Sequence, residues 1–404
     1  MLTDPDAEGR RLLAFARHSR VDGAGFGWLG ETGELDRTQG VHTWITARMT
    51  YVFALAALRG EPSALDLAGH GVTSLMSGPL RDREYAGWLG SVDADGAPRA
   101  VAKLAYDHAF VVLAASTAVV AGVPGADGLL DDAVAVFDEH FLDGEGRVVD
   151  GYPRDFSSAE AYRGANSSMH TVEALLALGD VRSDPSRPRA ALAIAEHLVH
   201  RVAVGHGGRL PEHFDAGWAE RPDYNADQPD DPFRPFGVTP GHLFEWSRLL
   251  LQLEAVLPDP PSWLVADAQL LFRVAVDIGW EVDGRAGLVY TTDWEDRPVV
   301  RRRMHWAHAE AVAAAAALAA RTGEVEYAAR EGEWWAFIEA SFVDDPGAPA
   351  ANWHHELDEA NRPVAHTWSG RPDVYHAYQA LLLSQHPSGA SLPSRLRPPA
   401  GPSS

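Results

Sequence analysis

Two kinds of helical segment alternate along this chain. Residues 107–121 are apolar on nearly every side after their first turn, which predicts a helix buried all round. Residues 129–141 carry one apolar stripe and one acidic face, a pattern typical of a helix that covers a core. The same periodicity predicts twelve helices, at residues 6–20, 38–59, 63–77, 107–121, 129–141, 160–178, 188–204, 239–257, 261–280, 304–322, 325–342 and 372–386.

The links between these helices carry a repeated turn pattern. In each copy an aspartate leads a short run of turn residues between two strand-like segments, which predicts a β-hairpin. The aspartates are Asp93, Asp143, Asp215, Asp293 and Asp358, and residues 26–37 are a looser copy. A repeated helical pair with a repeated link indicates an internal repeat. We therefore expect an all-α fold, an (α/α)6 barrel whose inner helices begin on one face walled by short β-hairpins.

Composition bounds the domain organisation and the partners. Residues 1–386 are expected to form one catalytic domain, and residues 387–404, rich in Pro, Ser and Gly, a disordered tail. The net charge of −23 speaks against nucleic acid or an anionic membrane as partner. Without cysteine the chain has no disulfide and no thiolate metal ligand. No signal-like or membrane-spanning apolar run is present, so we expect a cytoplasmic protein.

The predicted inner helices begin with polar or aromatic residues at helical spacing. Residues three or four apart share one helical face, so each pair points into the same space. An imidazole exchanges protons near neutral pH, and a nearby carboxylate orients its ring. An indole beside a charged group suits a sugar, whose C–H face stacks while its hydroxyls bind the charge. These pairs are Trp44 with Arg48, Asn166 with His170, His242 with Glu245, and Trp306 with Glu310.

Seven short motifs together resemble the N-acylglucosamine 2-epimerase superfamily over nearly the whole chain. They are Phe26-Gly-Trp-Leu, Trp44-Ile-Thr-Ala-Arg48-Met, Tyr106-Asp-His-Ala-Phe110, Asn166-x-x-Met-His170, Gly-His242-x-x-Glu245-Trp, His-Trp306-x-x-x-Glu310 and Asp-Val-Tyr-His376. The segment Trp368-Ser-Gly-Arg-Pro-Asp-Val-Tyr-His376 is more similar to the superfamily's aldose–ketose isomerases of the mannose type than to its disaccharide epimerases.

The resemblance implies a reaction and a set of site residues. The expected reaction interconverts D-mannose and D-fructose, or D-lyxose and D-xylulose, through a cis-enediolate, with no cofactor and no metal. His242 and His376 would exchange the protons, with Glu245 orienting His242. The residues expected to hold the monosaccharide are Trp44, Arg48, Tyr106, His108, Asn166, His170, Arg234, Trp306, Glu310 and Trp368. The resemblance is compatible with a monomer or a homodimer.

Several alternatives stay open at this point. A sugar 2-epimerase would use the same pocket, and an inverting glycoside hydrolase would use Glu245 and Glu310 as opposed carboxylates. A sugar-binding protein without activity is a further possibility. His305-x-x-His308 with Glu310, or His354-His355, offers metal ligands but not the His-Glu-x-x-His pattern, so we expect no metal. Which aldose binds depends on the loops around the mouth, where the roles of Arg234 and Arg371 are open.

Overall fold

The chain folds into helices joined by short strands. The computed structural model describes residue 2, residues 4–345 and residues 347–397. Its helices are α1 (Pro5–Ala16), α2 (Thr43–Leu58), α3 (Ala64–Ser77), α4 (Ala105–Val120), α5 (Ala126–His140), α6 (Ala165–Arg182), α7 (Ser186–Ala195), α8 (Pro240–Val256), α9 (Trp263–Gly279), α10 (His305–Thr322), α11 (Val325–Ser341), α12 (Tyr375–Gln385) and α13 (Leu392–Leu396). A short 3-10 helix follows α1, and α7 runs on as a π-helix over Glu196–Ala203.

Six of these helices form a closed inner ring. Each of α2, α4, α6, α8 and α10 packs against the next even-numbered helix, and α12 packs against α2. The odd-numbered helices α3 to α11 each cover the inner helix that precedes them, and α1 covers α12. The inner helices are buried on all sides past their first turns, as residues 109–118 of α4 show. The predicted (α/α)6 barrel is therefore confirmed.

Short antiparallel strands wall the end of the barrel where the inner helices begin. They are β1 (Arg20–Val21), β2 (Gly25–Phe26), β3 (Val41–His42), β4 (Ser91–Val92), β5 (Pro98–Ala100), β6 (Lys103–Leu104), β7 (Gly151–Tyr152), β8 (Tyr162–Gly164), β9 (His213–Asp215), β10 (Thr291–Thr292), β11 (Pro298–Val300), β12 (Arg303–Met304) and β13 (Glu356–Leu357). Helices α2 and α6 begin later than predicted because residues just before them pair as β3 and β8.

The five aspartate-led turns share one hydrogen-bonding geometry. In each, the aspartate Oδ1 accepts backbone N–H groups from the residues two and four positions later, a local bond typical of aspartate in turns. The acceptors are Asp93, Asp143, Asp215, Asp293 and Asp358. The predicted hairpin repeat is confirmed. The looser copy also forms, with Leu29 bridging Leu35.

The two halves of the barrel repeat one another in detail. His108 Nε2 accepts the backbone N–H of Trp88 at 3.1 Å, and its counterpart His308 accepts that of Leu288 at 2.9 Å. The buried ammonium of Lys103, just before α4, binds Asp82 at 2.8 Å, and Arg303, just before α10, binds Asp283 at 2.7 Å. Equivalent positions of α4 and α10 can therefore be compared directly.

The C-terminal segment after α12 contains one more short helix. Residues 387–397 are described, and they include α13, whose Leu392 is buried against α2, α4 and α6. Ser391 binds the carboxylate of Asp180 through its backbone N–H and its hydroxyl. An apolar Leu-Pro pair in a polar tail thus covers apolar surface at the far end of the inner ring. Residues 398–404 of the predicted tail lie outside the described residues. None of the described helices combines the length and the apolar character that crossing a membrane requires.

Candidate active site

A cavity of about 660 Å³ lies where the inner helices begin. Ten residues expected at the site line it together: Trp44, Arg48, Tyr106, Asn166, His170, His242, Glu245, Trp306, Trp368 and His376. They come from all six inner helices and from the segment before α12, so only closure of the ring brings them together. Three expected residues, His108, Arg234 and Glu310, do not line this cavity.

His242 lies in the first turn of α8, and its partner is not the one expected. Its Nδ1 lies 2.9 Å from Oε1 of Glu212, a buried residue just before β9. The carboxylate fixes the proton on Nδ1 and leaves Nε2 for the cavity. Glu245 was expected in this role from its helical spacing, and that prediction is wrong. The spacing places His242 and Glu245 on one helical face. The imidazole nitrogen is nevertheless bound by Glu212, which comes from another part of the chain.

His376 lies in the first turn of α12 and also rests on a carboxylate. Its Nδ1 is 3.1 Å from Oε1 of Glu310, whose other oxygen accepts Nε of Arg248 at 3.0 Å. Glu310 was expected to hold the sugar, whereas it stands behind this histidine. Burial, together with the nearby charges of Arg48 and His305, holds the pKa of His376 well below its usual value. A neutral imidazole is the form that accepts a proton.

Trp306 forms the wall between these two histidines. Its ring centroid lies 5.0 Å from that of His242 and 5.8 Å from that of His376. An aromatic ring in this position offers a platform for the C–H face of a sugar between two acid/base groups.

Arg48 brings a fixed positive charge into the cavity. It donates to the hydroxyl of Tyr106 at 2.7 Å and to Oδ2 of Asp373 at 3.3 Å. Its guanidinium carbon lies 4.4 Å from the ring centre of Phe110 and 4.7 Å from that of Tyr375. Its Nε has no hydrogen-bond partner among the described residues. Held on aromatic faces, this cation is positioned for negative charge that develops on a ligand.

A layer of buried charge lies beneath the cavity floor. Arg248 Nη2 is 3.6 Å from Oε1 of Glu173 and 3.6 Å from Oε1 of Glu245. Burial and the neighbouring Glu310 raise the pKa of Glu245 well above its usual value. His170 Nδ1 lies 3.7 Å from Oε1 of Glu245, the oxygen that also faces Arg248.

Three groups in this layer are close enough together to hold a metal ion. Atoms of His170, Glu173 and Glu245 lie within 4.8 Å of one another. The guanidinium of Arg248 already stands against both carboxylates and supplies their positive charge, so this donor set does not fit a cation. His308, one of the metal-ligand candidates from the sequence, uses both ring nitrogens in hydrogen bonds to backbone groups and has none left for a metal.

Two further site predictions need correction. His108 accepts from the backbone of Trp88 and contacts the carbonyl of Leu104, and burial lowers its pKa to about 3. It joins α4 to the loop before β4 and holds no ligand. Arg234 forms a two-pronged pair with Glu160 at 2.9 and 3.2 Å and lies over the ring of Tyr162. Arg371, whose role was left open, is likewise bound to Glu31 and Asp344.

Sequence reasoning missed part of the wall. The additional lining residues include Phe233, Tyr290, His305, His355 and Asp373. His305 and His355 stack with ring centroids 3.9 Å apart, and burial lowers the pKa of His305 to about 4. Both were considered only as metal ligands. A histidine directly before Trp306 was an available signal, whereas Phe233 lies in a long loop without periodicity.

Comparison with known proteins agrees with this geometry. The family model for N-acylglucosamine 2-epimerase matches residues 24–380. D-mannose isomerase of Thermobifida fusca is 50% identical over 97% of this chain and 96% of its own. D-mannose isomerase of Pseudomonas cannabina pv. alisalensis is 47% identical over 96% and 94%. A crystal structure of D-mannose isomerase superposes with a TM-score of 0.87 at 25% identity, covering 95% of this chain and 97% of that one. The chain belongs to the N-acylglucosamine 2-epimerase family.

Proposed function

We propose that the protein is an aldose–ketose isomerase that interconverts D-mannose and D-fructose. The observation that carries this proposal is a pair of cavity histidines, His242 and His376, each with a buried carboxylate at Nδ1 and with Trp306 between them. Two relatives near 50% identity that bear the name D-mannose isomerase support the choice of sugar.

The reaction moves one proton between neighbouring carbons. After the sugar ring opens, Nε2 of His376 takes the proton from C2, and the C1 carbonyl becomes the oxyanion of a cis-enediolate. The same nitrogen returns the proton to C1 while the C2 hydroxyl proton passes to O1, which yields the ketose. We assign the base to His376 because burial favours its neutral form, which can accept a proton. His242 then assists ring opening, and Glu212 stabilises the charge it gains.

Arg48 stabilises the enediolate. Its guanidinium is held by Tyr106 and Asp373, so it needs no rearrangement when the oxyanion forms. A donor placed at a developing oxyanion contributes on the order of 3 kcal/mol to the barrier. Glu245, which also lines the cavity, is a second hydrogen-bonding group for the sugar.

The geometry disfavours the other classes of function. An inverting glycosidase needs two carboxylates on opposite faces of the sugar, roughly 6.5–9.5 Å apart. Glu245 and Glu310 instead both contact the guanidinium of Arg248, at 3.6 and 3.0 Å, and Glu310 does not line the cavity. A protein that only binds sugar has no use for two histidines oriented by buried carboxylates. A 2-epimerase would use the same cavity. It is distinguished from an isomerase by its product, which is another aldose and not a ketose.

The test is incubation of the chelator-treated protein with D-mannose in D2O, with products identified by NMR. Fructose is the expected product, with deuterium at C1 wherever the transferred proton has exchanged with the solvent. Glucose as the sole product would assign the protein to the epimerases, and no change in any free aldose would refute the proposal. Loss of turnover on chelation would contradict the metal-independent route.

Single variants test the assignment of the histidines. His376→Ala and His242→Ala should each lower kcat by at least about 100-fold, the usual contribution of general acid–base catalysis. His206→Ala is the control, since that residue is half exposed and pairs with Glu220 away from the cavity. Normal turnover in either site variant would remove that histidine from the mechanism.

A further inference from the structure

The buried charge layer beneath the catalytic cavity is built around the guanidinium of Arg248. This residue, on α8, is 4% exposed and does not line the cavity. Three carboxyl groups face it, those of Glu173 on α6, Glu245 on α8 and Glu310 on α10. No step of the proposed reaction uses this cation, although a buried charge is costly unless it is well paired.

The three contacts of Arg248 are unequal, and one of them leads to the active site. Its Nε donates to Oε2 of Glu310 at 3.0 Å. Its Nη2 lies 3.6 Å from oxygens of the other two carboxyls and has no hydrogen-bond partner among the residues that the structure describes. The second oxygen of Glu310 lies 3.1 Å from Nδ1 of His376. A line of polar contacts thus runs from α8 through α10 to His376, which lines the cavity.

The protonation state of Glu310 decides which nitrogen of His376 carries the ring proton. Burial holds the pKa of His376 well below its usual value, so near neutral pH the ring has one N–H. A carboxylate can only accept, which places that N–H on Nδ1 and leaves Nε2 able to take a proton from carbon. A carboxylic acid donates to Nδ1 instead, which places the N–H on Nε2 and removes the base.

Arg248 is the neighbour that favours the carboxylate form of Glu310. Burial raises the pKa of the Glu310 carboxyl, and the charge of Arg248 is the strongest influence that opposes this rise. The nearby carboxylate of Glu173 acts in the same direction as burial. A carboxyl group buried beside another carboxylate takes up a proton unless a cation compensates it. The ionised form of Glu310 therefore depends on its bond to Arg248.

The second histidine–carboxylate pair has no such cation. Glu212 lies 2.9 Å from Nδ1 of His242, and within the described ranges it forms no ion pair with a lysine or an arginine. A carboxylate whose charge is not compensated stabilises an imidazolium more than one that already faces a guanidinium. The two pairs therefore suit different tasks, with His376 as the base and His242 as the acid.

We propose that Arg248 is a positioning residue of the reaction: by keeping Glu310 ionised, it holds the His376 ring with its proton on Nδ1 and leaves Nε2 free to act as the base. Arg248 touches no substrate and acts only through Glu310. The identity of the reaction rests on the proposed function, whereas the form of the His376 ring does not.

The first test reads the ring directly, without any substrate. Full-length protein is labelled with nitrogen-15 in its histidines, and the signals of His376 are identified by their loss in His376→Gln. Protonated and unprotonated ring nitrogens differ widely in their nitrogen-15 shifts. We expect a protonated Nδ1 and an unprotonated Nε2 in the native chain at neutral pH, and the reverse in Arg248→Met. An unchanged ring in folded Arg248→Met, or a native ring with its proton on Nε2, would overturn the proposal.

The second test follows the same change in the kinetics. Arg248→Met should lower kcat for mannose by about 100-fold with little change in KM, because a base is lost and not a sugar contact. Arg248→Lys keeps the charge and should recover most of that loss, together with the native form of the ring. The loss should not multiply with that of Glu310→Gln, because Arg248 acts through Glu310. Fully multiplicative losses, or a lysine variant as poor as the methionine variant, would contradict the assignment.

Arg321→Met is the matched control. Arg321 also joins α10 to α8, through Glu254, but this pair lies on the surface at the far end of α10. We expect native kinetics and a native His376 ring in this variant. Fructose formation with an unchanged ring in Arg248→Met would overturn this inference alone. The expected change of the ring in a protein that isomerises no aldose would overturn the proposed function alone.

Discussion

Each candidate acid/base histidine depends on a single carboxylate from another part of the chain. Glu212 reaches His242 from the segment before β9, and Glu310 reaches His376 from α10. Such a carboxylate selects the ring tautomer and stabilises the imidazolium that forms during turnover. At this scale the site is two histidine–carboxylate pairs and an arginine held on aromatic rings.

Replacement of the positioning residue Glu212 tests this view. Glu212→Gln keeps the size of the side chain but removes the charge that stabilises protonated His242. We expect kcat to fall by about 100-fold with little change in KM, and we expect the loss not to multiply with that of His242→Ala, because the pair acts as a unit. Steady-state kinetics measures both. Glu220→Gln is the control on the same hairpin, and fully multiplicative losses would contradict the pairing.

The pH dependence of catalysis follows from the surroundings of His376. Its pKa is held well below 6.5, so it stays neutral and active as the pH falls through that value. We expect the acid limb of kcat/KM for mannose to lie below pH 6.5. A pH profile of the native enzyme measures it. An acid limb above that pH would show that His376 does not act as the free base.

At the scale of elements, buried ion pairs anchor the strands that precede two inner helices. Lys103 pairs with Asp82 before α4, and Arg303 pairs with Asp283 before α10, with both cations fully buried. These pairs fix the hairpin face against the helix starts that carry the site. The pair recurs in both halves, with lysine in one and arginine in the other, so a buried cation lies at the same position in each.

Loss of one partner should therefore be costly. Asp82→Asn leaves the Lys103 ammonium buried without a counter-charge, and we expect the free energy of unfolding to fall by about 3–5 kcal/mol. Urea denaturation at neutral pH measures it. Asp22→Asn, whose carboxylate pairs with Arg20 on the surface, should leave the free energy of unfolding almost unchanged. Equal effects of the two variants would contradict the role of burial.

The Asp82 carboxylate also makes the free energy of unfolding depend on pH in the acid range. Arg154 and Lys103 outweigh the opposing effect of burial and hold the pKa of Asp82 below its usual value of 3.8. The ion pair therefore stabilises the fold above that pH, and the contribution disappears as the pH falls towards the lower, folded-state pKa. The stability difference between the native chain and Asp82→Asn should shrink in acid.

At the scale of the whole molecule, one helix closes the inner ring and another covers its end. α12 packs against α2 and joins the last inner helix to the first, and α13 lies across α2, α4 and α6 at the end away from the cavity. Leu392 of α13 is 5% exposed and covers the interior of the ring there. The site at one end thus rests on a barrel that the C-terminal segment covers at the other.

Truncation of this apolar contact tests the role of α13. Leu392→Ala should lower the free energy of unfolding by about 2–5 kcal/mol, as for other buried leucines. Leu396→Ala, in the same helix but only half-buried, should cost clearly less. Thermal and urea unfolding measure both variants. A negligible effect of Leu392→Ala would show that α13 adds nothing to the stability of the barrel.

Local patterns in the sequence predicted most of the architecture. Helical periodicity separated inner from outer helices, aspartates at turn positions predicted the hairpins, and polar residues in the first turns of the inner helices predicted the face of the site. These properties depend on neighbours a few positions apart, so one chain suffices to read them.

Only the tertiary structure decided which group acts on which. Helical spacing favoured Glu245 as the partner of His242, yet Glu212 occupies that place, and Glu310 supports His376 from across the ring. His108 resembled a site residue until its bonds to Trp88 and Leu104 were known. Hydrogen bonds between residues far apart in sequence depend on how the helices and hairpins pack once the barrel has closed. The sequence determined which residue types lie at the site and on which face of the barrel they lie. Their hydrogen-bond partners were decided by the tertiary structure, because those contacts form only when the ring of helices closes.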